Sequence, residues 1–93
     1  MFDNMKQLME MKRQADQLKR QLDALMIESE DVKGIKIVMN GSMDIKSVEL
    51  ADDILSRQDK RRLESDLLRS FNAVIKKAQV KAAENMKGML PGF

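Results

Sequence analysis

Two hydrophobic periods divide this chain. Leu8, Met11, Ala15, Leu18, Leu22 and Leu25 recur at spacings of three and four, the seam of an amphipathic helix. With Asp3 or Asn4 as the cap, and no Gly or Pro before Gly34, the pattern predicts a helix over about 4–26. The period then drops to two. Ile35, Ile37 and Met39 alternate with Lys36, Val38 and Asn40, predicting a half-buried strand over about 34–39. Asn40-Gly41 supplies the residues that a tight turn with positive φ prefers. The return arm, about 43–50, carries Met43, Ile45, Val48 and Leu50. Ile45 and Val48 lie three apart, so a bulge is expected near Lys46-Ser47. A hairpin alone is marginal in water, so the flanking helices are expected to cover it.

Ile27 to Glu30 reads as a short edge strand, about 27–30, whose charges discourage edge-to-edge pairing. Its acidic residues lack the alternating ligand register and bend glycine of a calcium loop. Beyond the connector Ala51–Leu55, Ser56-Arg57-Gln58-Asp59 reads as a capping box with Asp in the Glu position. It opens a helix predicted over about 57–87. Leu63, Leu67, Phe71, Val74, Ala78 and Ala82 form its stripe, widened by Leu68, Ile75 and Met86. Gly88 is expected to end it, and Pro91 bars the tail from continuing as helix. The reading is one α+β domain over 1–93: an N-terminal helix, a small antiparallel sheet around the Asn-Gly hairpin, and a long C-terminal helix.

Composition narrows the function. The 93 residues include no Trp or Tyr, three Phe and nine Met, so the core is built from aliphatic residues. A domain this small buries only about 60% of its chain surface as a monomer, which favours a homodimer with a shared core. With no Cys and no His, thiolate chemistry, disulfides, the commonest general base and the commonest transition-metal ligand are all missing. Asp52-Asp53 invites an acid–base reading, but no nucleophile with an orienting partner accompanies the pair. No apolar run has the length of a signal peptide or membrane span, which predicts a cytoplasmic protein.

Charge then points to a partner. Residues 1–31 carry net −2, 32–53 net −1 and 54–93 net +5, within an overall +2. No acid lies between Asp66 and Glu84, while Arg69, Lys76, Lys77 and Lys81 do, and Arg62, Arg69 and Lys76 repeat at seven. An unneutralised helical strip of this kind suits a polyphosphate backbone, although a plain solvated lysine face has the same pattern. On the first helix, Lys12, Arg13, Lys19 and Arg20 are interleaved with acids, with Lys12–Asp16, Asp16–Arg20 and Lys19–Asp23 at i,i+4. Without an aromatic platform, single-stranded base recognition is disfavoured.

These residues also carry a family resemblance. The order helix, Asn-Gly hairpin, connector, long helix resembles the YbaB/EbfC family of bacterial nucleoid-associated DNA-binding proteins. So do Met5-Lys6-Gln7-Leu8-Met9, Ile37-Val38-Met39-Asn40-Gly41, Val48-Glu49-Leu50, Leu67-Leu68-Arg69-Ser70-Phe71-Asn72-Ala73 and the ending Leu90-Pro91-Gly92-Phe93. The resemblance implies a dimer with projecting helical arms that binds double-stranded DNA in the nucleoid, for chromosome organisation or gene regulation. It implies no catalysis and no cofactor; no small-molecule substrate is expected, and the acids interspersed through the first helix and the absence of Trp argue against a membrane surface. The basic residues Arg62, Arg69, Lys76, Lys77 and Lys81, with Lys12, Arg13, Lys19 and Arg20, are its candidate DNA contacts. The alternative is a dimeric adaptor whose methionine-rich arms and apolar tail hold a partner protein.

Overall fold

Strand β2 (Ile35–Asn40) is the centre of the molecule, and its alternation explains why. In the computed structural model, which describes residues 2–89, Ile35, Ile37 and Met39 are buried while Lys36 and Val38 face the open side of the sheet. β1 (Met26–Val32) and β3 (Ile45–Leu50) flank β2 antiparallel, giving the order β1-β2-β3. Helix α1 (Phe2–Ala24) precedes the sheet, and the one-turn helix α2 (Ile54–Arg57) and the long helix α3 (Lys60–Met89) follow it. The fold is α+β.

The core lies between α3 and the β1–β2 half of the sheet. Ile27, Ile35, Ile37, Met39, Ile54, Val74 and Ala78 form it, with Leu63, Leu67, Phe71 and Ile75 packed at its margin. Val74, Ala78 and Ala82 are buried at spacings of four. Ala78, within that core, lets the α3 backbone approach the sheet closely. On the open face, Lys36 Nζ lies 2.6 Å from Glu28 and 3.6 Å from Glu49, so one cation spans all three strands. Those carboxylates, Glu28 foremost, raise the Lys36 pKa above its ordinary value.

The turns differ from the expected ones. Val32 pairs with Ile35, leaving Lys33-Gly34 as a two-residue turn, and Gly34 takes φ +96°. This is the tight hairpin, and its glycine supplies the positive φ. Asn40-Gly41 instead begins a wider loop: Met43 N–H donates to Asn40 O at 3.1 Å, Asn40 N–H to Asp44 O at 2.9 Å, and the positive φ, +69°, falls on Met43. The Asn40 side chain makes this possible, because its Oδ1 accepts from the N–H groups of Ser42 (3.0 Å) and Asp44 (2.9 Å). Gly41 is needed for proximity: a Cβ there would lie 2.9 Å from Leu22 O. The bulge falls where the alternation broke, since Val38 pairs with Ser47 and Met39 with Ile45, leaving Lys46 extra.

Helix boundaries shift too. α1 begins at Phe2, placing Asp3 and Asn4 inside its first turn, and Met26 lies in β1. Ser56 sits inside α2 and does not cap the long helix. Asp59 does, with Oδ1 accepting from Arg62 N–H at 2.8 Å, and α3 starts at Lys60. α3 runs through Gly88 to Met89; the expected tail beyond it lies outside the described residues.

Candidate nucleic-acid interface

The C-terminal end of α1 is stitched to the β2–β3 loop. Gly41 N–H lies 2.8 Å from Leu22 O and 2.9 Å from Leu25 O, and Asn40 Nδ2 donates to Asp23 O at 3.3 Å. These bonds satisfy carbonyls that a helix end leaves orphaned. Ser42 Oγ donates to Asp23, and Lys19 Nζ approaches the same carboxylate at 3.1 Å. The Ser42 bond, then Lys19, hold the Asp23 carboxyl below the ordinary carboxylate range. Upstream of this joint α1 stands free: every residue from Asp3 to Gln17 is exposed, including Met5, Leu8, Met9 and Met11. The predicted seam is therefore half-buried only at Leu18, Leu22 and Leu25.

The basic residues of α3 are sorted by the structure into distinct situations. Arg69 Nε lies 2.8 Å from Asp31 Oδ2 across the gap to β1, an acid 38 residues away in sequence. Lys77 Nζ donates to Glu28 O at 2.6 Å, so its ammonium is fastened to the β1 backbone. Lys81 is 3.8 Å from Glu84, and Arg62 is 3.9 Å from Asp66. Among the described residues Lys76 makes no ion pair within 4 Å. Arg69, Asn72, Ala73 and Lys76 share one side of α3 and, with Asp31, line an open groove of about 410 Å³ beside β1.

On α1 the expected i,i+4 pairing holds for Lys19–Asp23, while Arg13 bonds Glu10 at 2.8 Å. Lys12–Asp16 and Asp16–Arg20 do not close within 4 Å among the described residues, leaving Lys12 and Arg20 solvated. Among the described residues, this groove gathers two of the nominated cations, Arg69 and Lys76. Asp31 belongs to that feature as well. The sequence places it just past the 27–30 strand, in an acidic cluster, and no local spacing ties it to Arg69.

The fold offers a second unpartnered region. Ile45, Val48 and Leu50 pair with Met39, Ile37 and Ile35 and share their face of the sheet. Yet α3 packs on β1 and β2, and the three β3 side chains stay exposed, Val48 at 43%.

Comparison with known proteins agrees with this architecture. The model of the YbaB/EbfC DNA-binding family matches residues 1–93. A nucleoid-associated protein of Dictyoglomus thermophilum is 26% identical over 93 residues, covering 99% of this chain and 89% of that protein. One from Chloroflexus aurantiacus is 30% identical over 95 residues, covering 97% and 95%. The crystal structure of the uncharacterized protein HP0035 from Helicobacter pylori superposes with a TM-score of 0.67 at 20% identity, over 89% of this chain and 98% of that one. That likeness concerns the fold. No described helix is long and apolar enough to cross a membrane.

Proposed function

This chain belongs to the YbaB/EbfC DNA-binding family, and from that premise we propose that it binds double-stranded DNA as a homodimer. It acts in the cytoplasm at the nucleoid, as a chromosome-organising or regulatory protein without catalysis or cofactor. The observation that carries the reading is the α3 groove. Arg69 and Lys76 stand on one side of a stretch that holds no acid between Asp66 and Glu84. Cations so placed engage phosphates, which position a protein on a duplex without reading its sequence. The bare β3 strip supports the homodimer: a small aliphatic core leaves apolar surface that a second copy would remove from water at roughly 25 cal/mol per Å².

A gel-shift titration with two unrelated duplexes at two salt concentrations tests this. A dimer engaging about four to six phosphates gives a slope of log affinity against log salt near −4 to −5. Lys76→Gln flattens the slope by roughly 1 per protomer on both duplexes alike. Lys77→Gln is the poorer probe, because that ammonium holds β1. Binding to no duplex even at low salt sinks the reading. The exposed Met5, Leu8, Met9 and Met11 then favour the adaptor, with a partner protein along the bare face of α1.

A further inference from the structure

We propose that the groove between α3 and β1 is a phosphate subsite of the duplex interface, and that Asp31 sets its affinity by acting as a built-in counterion to Arg69. The inference rests on the DNA-binding reading and goes beyond it by assigning a role to an acid. Four observations converge on it. Arg69, Asn72 and Lys76 lie on one face of α3 along the same groove. Arg69 and Lys76, seven residues apart, are separated by about 10 Å along the helix, so their two cations meet neighbouring anionic groups of one partner. Asn72 lies between them, exposed, with an amide able to donate to a phosphate oxygen. Asp31 forms the remaining wall, its Oδ2 at 2.8 Å from Arg69 Nε.

That ion pair is open to water, with the Arg69 side chain 68% exposed and that of Asp31 38%. Exposed pairs of this kind hold their partners weakly. A phosphate accepts from guanidinium with the same bidentate geometry as a carboxylate. It can therefore take Arg69 from Asp31 without dismantling the fold, since α3 stays fastened to β1 by Lys77 and by the core. The Asp31 carboxylate cancels part of what Arg69 offers. The groove thus engages a dense polyanion, where several phosphates act together, in preference to isolated anions.

The test separates this inference from the reading beneath it. Asp31→Asn, Arg69→Gln, the double variant and Asp52→Asn are titrated with one duplex across a salt series, beside the wild-type protein. Asp52 is a charge-matched control on the connector after β3, at the opposite edge of the sheet. The expected result is that Asp31→Asn tightens binding several-fold at low salt and steepens the slope by a fraction of the roughly 0.9 per protomer that one whole phosphate contact gives. Asp52→Asn is expected to do neither, and the Asp31→Asn gain should vanish in the Arg69→Gln background. Thermal midpoints of the variants confirm that the fold is retained, and a merely structural role would move the midpoint without changing the slope. A gain for Asp31→Asn no larger than for Asp52→Asn, or one that persists without Arg69, overturns the inference while leaving DNA binding standing. A wild-type protein that binds no duplex overturns the underlying reading instead.

Discussion

The two edges of the sheet have opposite fates. β1 reads as the exposed edge, with Glu28, Glu30 and Asp31 along it, yet it is the edge that α3 covers. Ile27 is 3% exposed, and Arg69 and Lys77 reach out from α3 to fasten the strand. β3 carries fewer acids and more aliphatics, yet no helix covers it, and Ile45, Val48 and Leu50 stay open on the core face. A charged edge becomes safe once a helix can satisfy it from the side. An apolar edge left bare is instead a template for another chain. The difference separates what holds the chain together from what it leaves open to solvent.

Two substitutions, one on each flanking strand, break this comparison most sharply. Ile27→Ala should cost about 2–4 kcal/mol and lower the melting midpoint equally at every protein concentration. Val48→Asp should leave the subunit folded and weaken self-association by roughly 100-fold, about 2.8 kcal/mol at 1.4 kcal/mol per tenfold. Sedimentation equilibrium at micromolar concentration reads it, giving twice the chain mass for the wild-type protein and one chain mass for the variant. A wild-type monomer, or a Val48→Asp dimer, would mean that β3 is not where copies meet.

Gly41→Val comes next, because the β2–β3 loop ties the open edge to α1. Its Cβ would press on Leu22 O at 2.9 Å and Leu22 Cα at 3.2 Å, both backbone atoms that cannot swing aside, for a cost of roughly 1–3 kcal/mol. The penalty is steric, so Gly41→Ala should already show much of it in chemical denaturation. An unchanged midpoint for Gly41→Val would contradict the close approach of loop and helix.

The smallest effect is one of pH. Asp23 has its folded pKa below the ordinary 3.8, so its contribution is present above that value and is lost as pH falls through the lower, folded one. Asp23→Asn should flatten that acid limb of the stability profile without altering it near neutrality. Ser42→Ala should do the same to a lesser degree, since it removes only the leading cause of the shift.

Periodicity carried the core well: Ile35, Ile37, Met39, Val74 and Ala78 were legible because burial on one face forces a repeat. The break between Ile45 and Val48 likewise marked the bulge. The β2–β3 hairpin turns at Asn40-Gly41 as its signature implies, but the geometry of the turn differs for a physical reason. Asn-Gly is a strong local signal for positive φ, but Asn40 spends its amide on Ser42, Asp44 and Asp23, and Gly41 is spent on closeness to Leu22. Lys33-Gly34 carried the tight turn with a weaker signature. At the groove, the cations of α3 could be listed from sequence, but their ranking could not. Arg69 meets Asp31 and Lys77 meets Glu28 only because α3 folds back over β1, and contacts between such distant positions leave no local pattern.

The free run of α1 from Asp3 to Gln17 has a mechanical consequence. It makes α1 a lever whose tip lies roughly 28 Å from its fulcrum, the joint of Leu22, Leu25, Asn40 and Gly41. A rotation of about 5° at that joint swings the tip by about 2.5 Å, at about 1.5 Å of length per residue. Any load applied at the tip returns to the joint as torque on a few hydrogen bonds. The compliance of the whole arm is therefore set by one asparagine amide and by the missing side chain of one glycine, rather than by the helix itself.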